Sequence, residues 1–178
     1  MAACSRALLA ATLRVTRRKD DMTPDLATLE TSFDLIAPRG EELVDTFYAR
    51  LFETAPGVKP LFANTDLPKQ KSMLLATLVL LRKSLRDLEA ITPKLRQLGA
   101  RHVAYGALPE HYPVVAEVML ASMAEIAGDA WTPDVEAAWA GALGLVATAM
   151  LEGAAEAQAE PARRPEPRPP YATVAATA

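Results

Sequence analysis

The chain has 178 residues, of which 51% are hydrophobic and 23% charged, a balance that suits one globular core and excludes a disordered or collagen-like chain. A formal net charge of −3 offers no basic surface, so nucleic-acid binding has nothing to rest on. The single cysteine, Cys4, excludes both an internal disulfide framework and a thiolate metal site, and a reducing compartment is the expectation.

Residues 1–21 carry Arg6, Arg14, Arg17, Arg18 and Lys19 with no acid before Asp20, the composition of a targeting leader. Their apolar run is short and most of the charges follow it, whereas a secretory signal places them ahead. The segment is therefore expected to be an extension outside the fold, with Met22 as the true start and a cytoplasmic location. No uninterrupted apolar run reaches 18 residues, so no membrane span is expected.

From Met22 to about residue 156 the apolar spacing is helical throughout, which predicts an all-α domain. Thr23-Pro24, Thr92-Pro93 and Thr132-Pro133 each pair a hydroxyl cap with a proline at the first helical position, marking three helix starts. The first helix is expected over 24–37, closed by Pro38 and Gly40. The second carries a stripe of Leu43, Val44, Phe47, Tyr48, Leu51 and Phe52 and stops near Pro56-Gly57. A turn through Pro60-Leu61-Phe62 and a loop over 64–68 lead to a third, from about Lys69, whose leucines 74, 75, 78, 81 and 85 predict deep burial. A fourth, from Pro93 to about Val103, places Leu95, Leu98 and His102 on one face and ends at Tyr105-Gly106. The fifth opens at Pro109 and ends at Gly128, and the sixth begins at Thr132 with the stripe Val135, Trp139, Leu143, Val146 and Met150. Residues 157–178 include PARRPEPRPP, a proline-rich tail expected to be disordered.

Only two histidines are present. The spacing turns His102 inward, while His111, in the first turn of the following helix, is expected to face solvent. A lone inward histidine is ordinarily a packed core residue, and spacing alone does not decide otherwise.

A resemblance adds to this reading. The stretch LGARHVAYGALPEHYPVVAEVML (98–120) joins an Arg-His pair, a Tyr-Gly turn and a His-Tyr-Pro helix start. It closely resembles the segment around the proximal histidine of single-domain bacterial haemoglobins and of the globin domain of flavohaemoglobins. Upstream, FYARLFETAPGVKPLF (47–62) resembles the second helix and haem-edge turn of the same family, and the likeness covers about Met22 to Ala154.

The resemblance implies a globin fold, a three-over-three helical sandwich around haem b. In it His102 is the axial metal ligand, Tyr48 and Gln70 donate hydrogen bonds to bound oxygen, Leu74 packs over that ligand and Phe62 packs on the porphyrin edge, with Leu98 and Tyr112 on the proximal side. The family pairs the tyrosine at 112 with a glutamate from the last helix, and here the chain departs: the position falls on Ala154, between Glu152 and Glu156. A helix turns both acids about 200° away from it. The implied function is tight, reversible oxygen binding, and conversion of nitric oxide to nitrate with electrons from an external reductase. The competing readings are a haem-free globin-fold sensor or interaction module and a peroxidase-like haem protein.

Overall fold

The computed structural model describes residues 25–159, and the residues on either side, including the expected leader, Thr23-Pro24 and the proline tail, lie outside it. Six α-helices are described: α1 (Leu26–Ile36), α2 (Gly40–Thr54), α3 (Leu67–Ser84), α4 (Leu88–Ala104), α5 (His111–Ala127) and α6 (Pro133–Ala159). Among the described residues there is no strand.

Carboxylates and a hydroxyl set several of the starts. Asp25 accepts the Ala27 amide at 3.1 Å to open α1, Asp66 accepts Lys69 N at 3.1 Å to open α3, and Thr132 Oγ1 accepts Val135 N at 3.3 Å to open α6. Two expected boundaries move. Helix α4 begins at Leu88, not Pro93, because Asp87 caps it by accepting Ala90 N at 3.2 Å, leaving Pro93 inside the helix. Gly40 opens α2 instead of closing α1, since the chain passes between the helices through one 3-10 turn, Ala37–Arg39.

The helices form two layers. One holds α1, α2 and α3, the other α4, α5 and α6, and they meet where α1 crosses α6, α2 crosses α5 and α3 reaches α4. Each helix turns a stripe inward at steps of three and four, and the shared core holds Leu29, Phe33, Leu43, Phe47, Leu51, Met119, Met123 and Trp139. Trp139 is 0% exposed and donates through Nε1 to Ser32 Oγ at 2.9 Å, while Ser32 donates onward to the Thr28 carbonyl at 2.6 Å. The one polar edge of the indole is thereby satisfied inside the core.

Helix α3 is less buried than its leucines predict. Leu78 and Leu81 are enclosed, whereas Leu74 and Leu75 are half-buried and Met73 and Leu80 are exposed. It is an outer wall, held to α1 partly by the Arg82 to Asp34 pair at 3.0 Å. Helix α6, at 27 residues, is the one described helix long and apolar enough to cross a membrane. Part of that apolar surface packs against α1, α4 and α5.

Candidate functional site

His102 stands in the last turn of α4, half-buried. Its Nδ1 lies 2.8 Å from the Leu98 carbonyl oxygen one turn earlier. A carbonyl can only accept, so Nδ1 carries a proton, and in the neutral ring this leaves the lone pair on Nε2, the tautomer in which that nitrogen can bind a metal. The Tyr105 ring meets the imidazole edge-on, with centroids 5.9 Å apart. Helix α4 then stops at Gly106, whose φ of +82° is a backbone conformation that glycine adopts without strain. A Cβ there would stand 3.2 Å from Leu61 Cδ2, so the turn after His102 lies against the 3-10 segment Pro56–Phe62 that follows α2.

That segment leads to a second group of side chains. Tyr48, on the inner face of α2 and 4% exposed, packs with Phe47, Phe52 and Phe62 at centroid separations of 5.1, 5.9 and 5.8 Å. Phe52 and Phe62 close the cluster at 5.3 Å. Burial pushes the Tyr48 hydroxyl above its ordinary value, and a hydrogen bond with the Gln70 side chain pulls it partly back. The phenol is therefore a neutral donor at physiological pH. Gln70 lies in the first turn of α3, half-buried, and Leu74 follows one turn later, packed against the core.

The structure thus joins Tyr48, Gln70 and Phe62 in one cluster, with Leu74 on the same face of α3 as Gln70. It joins Leu98 and His102 on α4, although the contact that matters at Leu98 is its carbonyl. Tyr112 is half-buried in the first turn of α5, and burial raises its pKa. Glu152 and Glu156 are turned to another partner: Arg96 Nη2 meets Glu152 at 2.6 Å and Arg96 Nη1 meets Glu156 at 3.7 Å. His111 accepts the Leu108 amide at Nδ1, 3.1 Å away, and serves the start of α5.

Sequence reasoning missed the Leu98 carbonyl, Tyr105 and Arg96. The first was within reach, because a histidine four residues after another helical residue stands over that residue's carbonyl. The others depend on which helices are neighbours.

The donor set fits a haem. Among the described residues no three His, Cys, Asp or Glu side chains stand together to hold a bare ion. A porphyrin brings its own equatorial nitrogens and asks the protein for one axial imidazole, which is what His102 offers. Leu61, Tyr105 and Leu108 are exposed around this corner at 37%, 62% and 47%, apolar surface that a large planar cofactor can cover.

Comparison with known proteins agrees with this geometry. The family model described as Globin matches residues 45–150. The flavohemoprotein of Bacillus subtilis is 30% identical over 125 residues, covering 69% of this chain and 31% of that protein. That of Deinococcus radiodurans is 32% identical over 133 residues, covering 73% and 33% respectively. The chain therefore spans about a third of the length of these relatives. Among solved structures, a bacterial globin from Campylobacter jejuni superposes with a TM-score of 0.66 at 22% identity over 75% of this chain and 96% of that one. An engineered carbene transferase from Rhodothermus marinus gives 0.71 at 23% identity, over 80% and 98%. The two-layer helical packing, the placement of His102 and a family match over more than half of the chain lead to one conclusion: the chain belongs to the globin family, and membership implies haem binding.

Proposed function

We propose that the chain binds haem b through His102 Nε2 and holds oxygen tightly and reversibly beside Tyr48 and Gln70. We further propose that the held oxygen converts nitric oxide to nitrate, with a separate cytoplasmic reductase supplying the electrons. The observation that carries the reading is the 2.8 Å bond from His102 Nδ1 to the Leu98 carbonyl, which leaves the opposite nitrogen free to bind a metal. When bound, haem iron supplies the open coordination position and the electron density that a diatomic ligand draws upon.

The chain's residues do the rest. The Leu98 carbonyl fixes the tautomer and the ring plane of His102. Tyr48 and Gln70 present donors to the partly negative end of a ligand, each worth about 1 kcal/mol or somewhat more. Phe52 and Phe62 pack against the Tyr48 ring and Leu74 packs on the core one turn beyond Gln70, apolar groups that limit the water competing with these donors.

One observation favours ligand holding over the peroxidase-like reading. The acceptor for His102 Nδ1 is a neutral carbonyl, and Glu152 and Glu156 are engaged by Arg96. A carboxylate partner would make the imidazole more basic and favour cleavage of a bound peroxide.

Haem reconstitution followed by stopped-flow kinetics on the reduced protein tests the proposal. A Soret band and slow oxygen release are expected, with nitrate formed when nitric oxide is mixed with the oxygenated protein. Absence of the band after reconstitution would end the haem reading, and nitric oxide left unconsumed would reduce the proposal to oxygen binding alone. In Tyr48→Phe, oxygen should leave about tenfold faster, the loss of one charge-assisted hydrogen bond. An unchanged off-rate would show that the hydroxyl does not reach the ligand.

A further inference from the structure

Helices α4 and α6 meet more closely than side chains allow. A Cβ on Gly99 would overlap the Met150 carbonyl oxygen and stand 2.7 Å from the Met150 Cα. A Cβ on Gly153 would overlap the Arg96 carbonyl oxygen and stand 2.5 Å from the Arg96 Cα. The contact is reciprocal: each helix offers a glycine to the other's backbone, and both glycines lie three residues beyond the carbonyl that the other helix touches. Each carbonyl sits roughly where a glycine Cα–H points, the arrangement of a Cα–H···O contact. Gly99 and Gly153 are both buried.

The gripped stretch of α4, from Arg96 to Gly99, contains Leu98, whose carbonyl orients His102. It is also clamped at its edge, where Arg96 Nε and Nη2 reach Glu152 at 3.1 and 2.6 Å. A helix seated on another helix's backbone cannot be moved by rotamer changes, because no side chain lies between them to yield.

We infer that the Gly99 and Gly153 crossing sets the position of the His102 imidazole, so that these glycines are positioning residues for the axial ligand. The axial role itself rests on the function proposed above, whereas the control of the ring by the crossing does not. A methyl at either glycine has to lift α4 from α6, carrying the Leu98 carbonyl and the ring with it. Gly144, also on α6, has nothing within 4 Å of its Cβ position and provides a matched control.

The test uses the full chain with ¹⁵N-labelled histidine, first without haem. His102 and His111 are the only histidines, so His111 reports whether the fold is intact. In Gly99→Ala and Gly153→Ala the His102 ring resonances should shift while those of His111 stay; in Gly144→Ala neither should move. Arg96→Gln adds no atoms to the crossing and should leave His102 nearly unmoved. In the haem-loaded proteins the two crossing variants should shift the iron–histidine stretching band and lose haem at least about tenfold faster, as changes behind a metal ligand do.

His102 resonances in folded Gly99→Ala that superimpose on those of the wild type would overturn the inference. So would an Arg96→Gln shift as large as that of the glycine variants, which would assign the positioning to the ionic clamp. Where the crossing variants fail to fold, a clear His102 shift in folded Arg96→Gln, with the His111 resonances unmoved, overturns the inference in the same way. A wild-type chain that takes up no haem would sink the proposed function, leaving the haem-free measurement to judge the crossing.

Discussion

Replacing His102 with alanine should abolish stable haem binding, with affinity falling by more than about a hundredfold, beyond the cost of disturbing a partner behind a metal ligand. Nothing nearby takes over. His111 already accepts the Leu108 amide through Nδ1 at the start of α5, and no cluster of alternative ligands is found among the described residues. What remains is apolar contact between porphyrin and protein, which neither selects one orientation nor binds the metal. Absorbance titration with haem measures the loss. His102→Gly with added imidazole should restore a five-coordinate spectrum, because a free ring can occupy the space beside Leu98. Haem retention by His102→Ala at wild-type affinity, with an unaltered spectrum, would assign the metal to a different residue.

The largest expected effect on stability lies away from the site. Trp139→Ala should destabilise the fold by about 3–5 kcal/mol, the range for deleting a fully buried aromatic side chain. Trp139 is 0% exposed, stacks 6.2 Å from Phe33 and donates to Ser32 Oγ, so the substitution opens a cavity where α1 crosses α6. Trp139→Phe should cost less, because most of the volume is kept while the indole donor is lost. Guanidinium unfolding followed by far-ultraviolet circular dichroism provides the measurement. A loss below about 1 kcal/mol for Trp139→Ala would mean that the crossing collapses around the gap.

The all-α class and most of the helix faces were legible from residue spacing. Leu43, Phe47, Tyr48 and Leu51 on α2 are buried as their stripe predicts, and Gly128 ends α5 with a φ of +55°. The start of α4 was misread because Thr92-Pro93 has the form of a cap, while Asp87, in the turn before, was the residue that accepts a backbone amide. Leucine content overstated the burial of α3, since composition does not say how many neighbours a helix has.

At the candidate site, Tyr48, Gln70, Phe62, Leu74, Leu98, His102 and Tyr112 were all named from a resemblance. Periodicity alone left His102 indistinguishable from a core histidine. The structure adds the Leu98 carbonyl and the aromatic ring of Tyr105, and it turns Glu152 and Glu156 toward Arg96.

By itself the sequence determined which residues form helices and which side of each is apolar, because those properties arise from neighbours three and four positions away. Tertiary structure alone decided that Gly99 lies on Met150 and Gly153 on Arg96, that Arg96 reaches Glu152, and that Gln70 is brought beside Tyr48. These contacts join positions far apart in the chain. They depend on how closely and at what angle two helices cross, quantities set by the packing of the whole core.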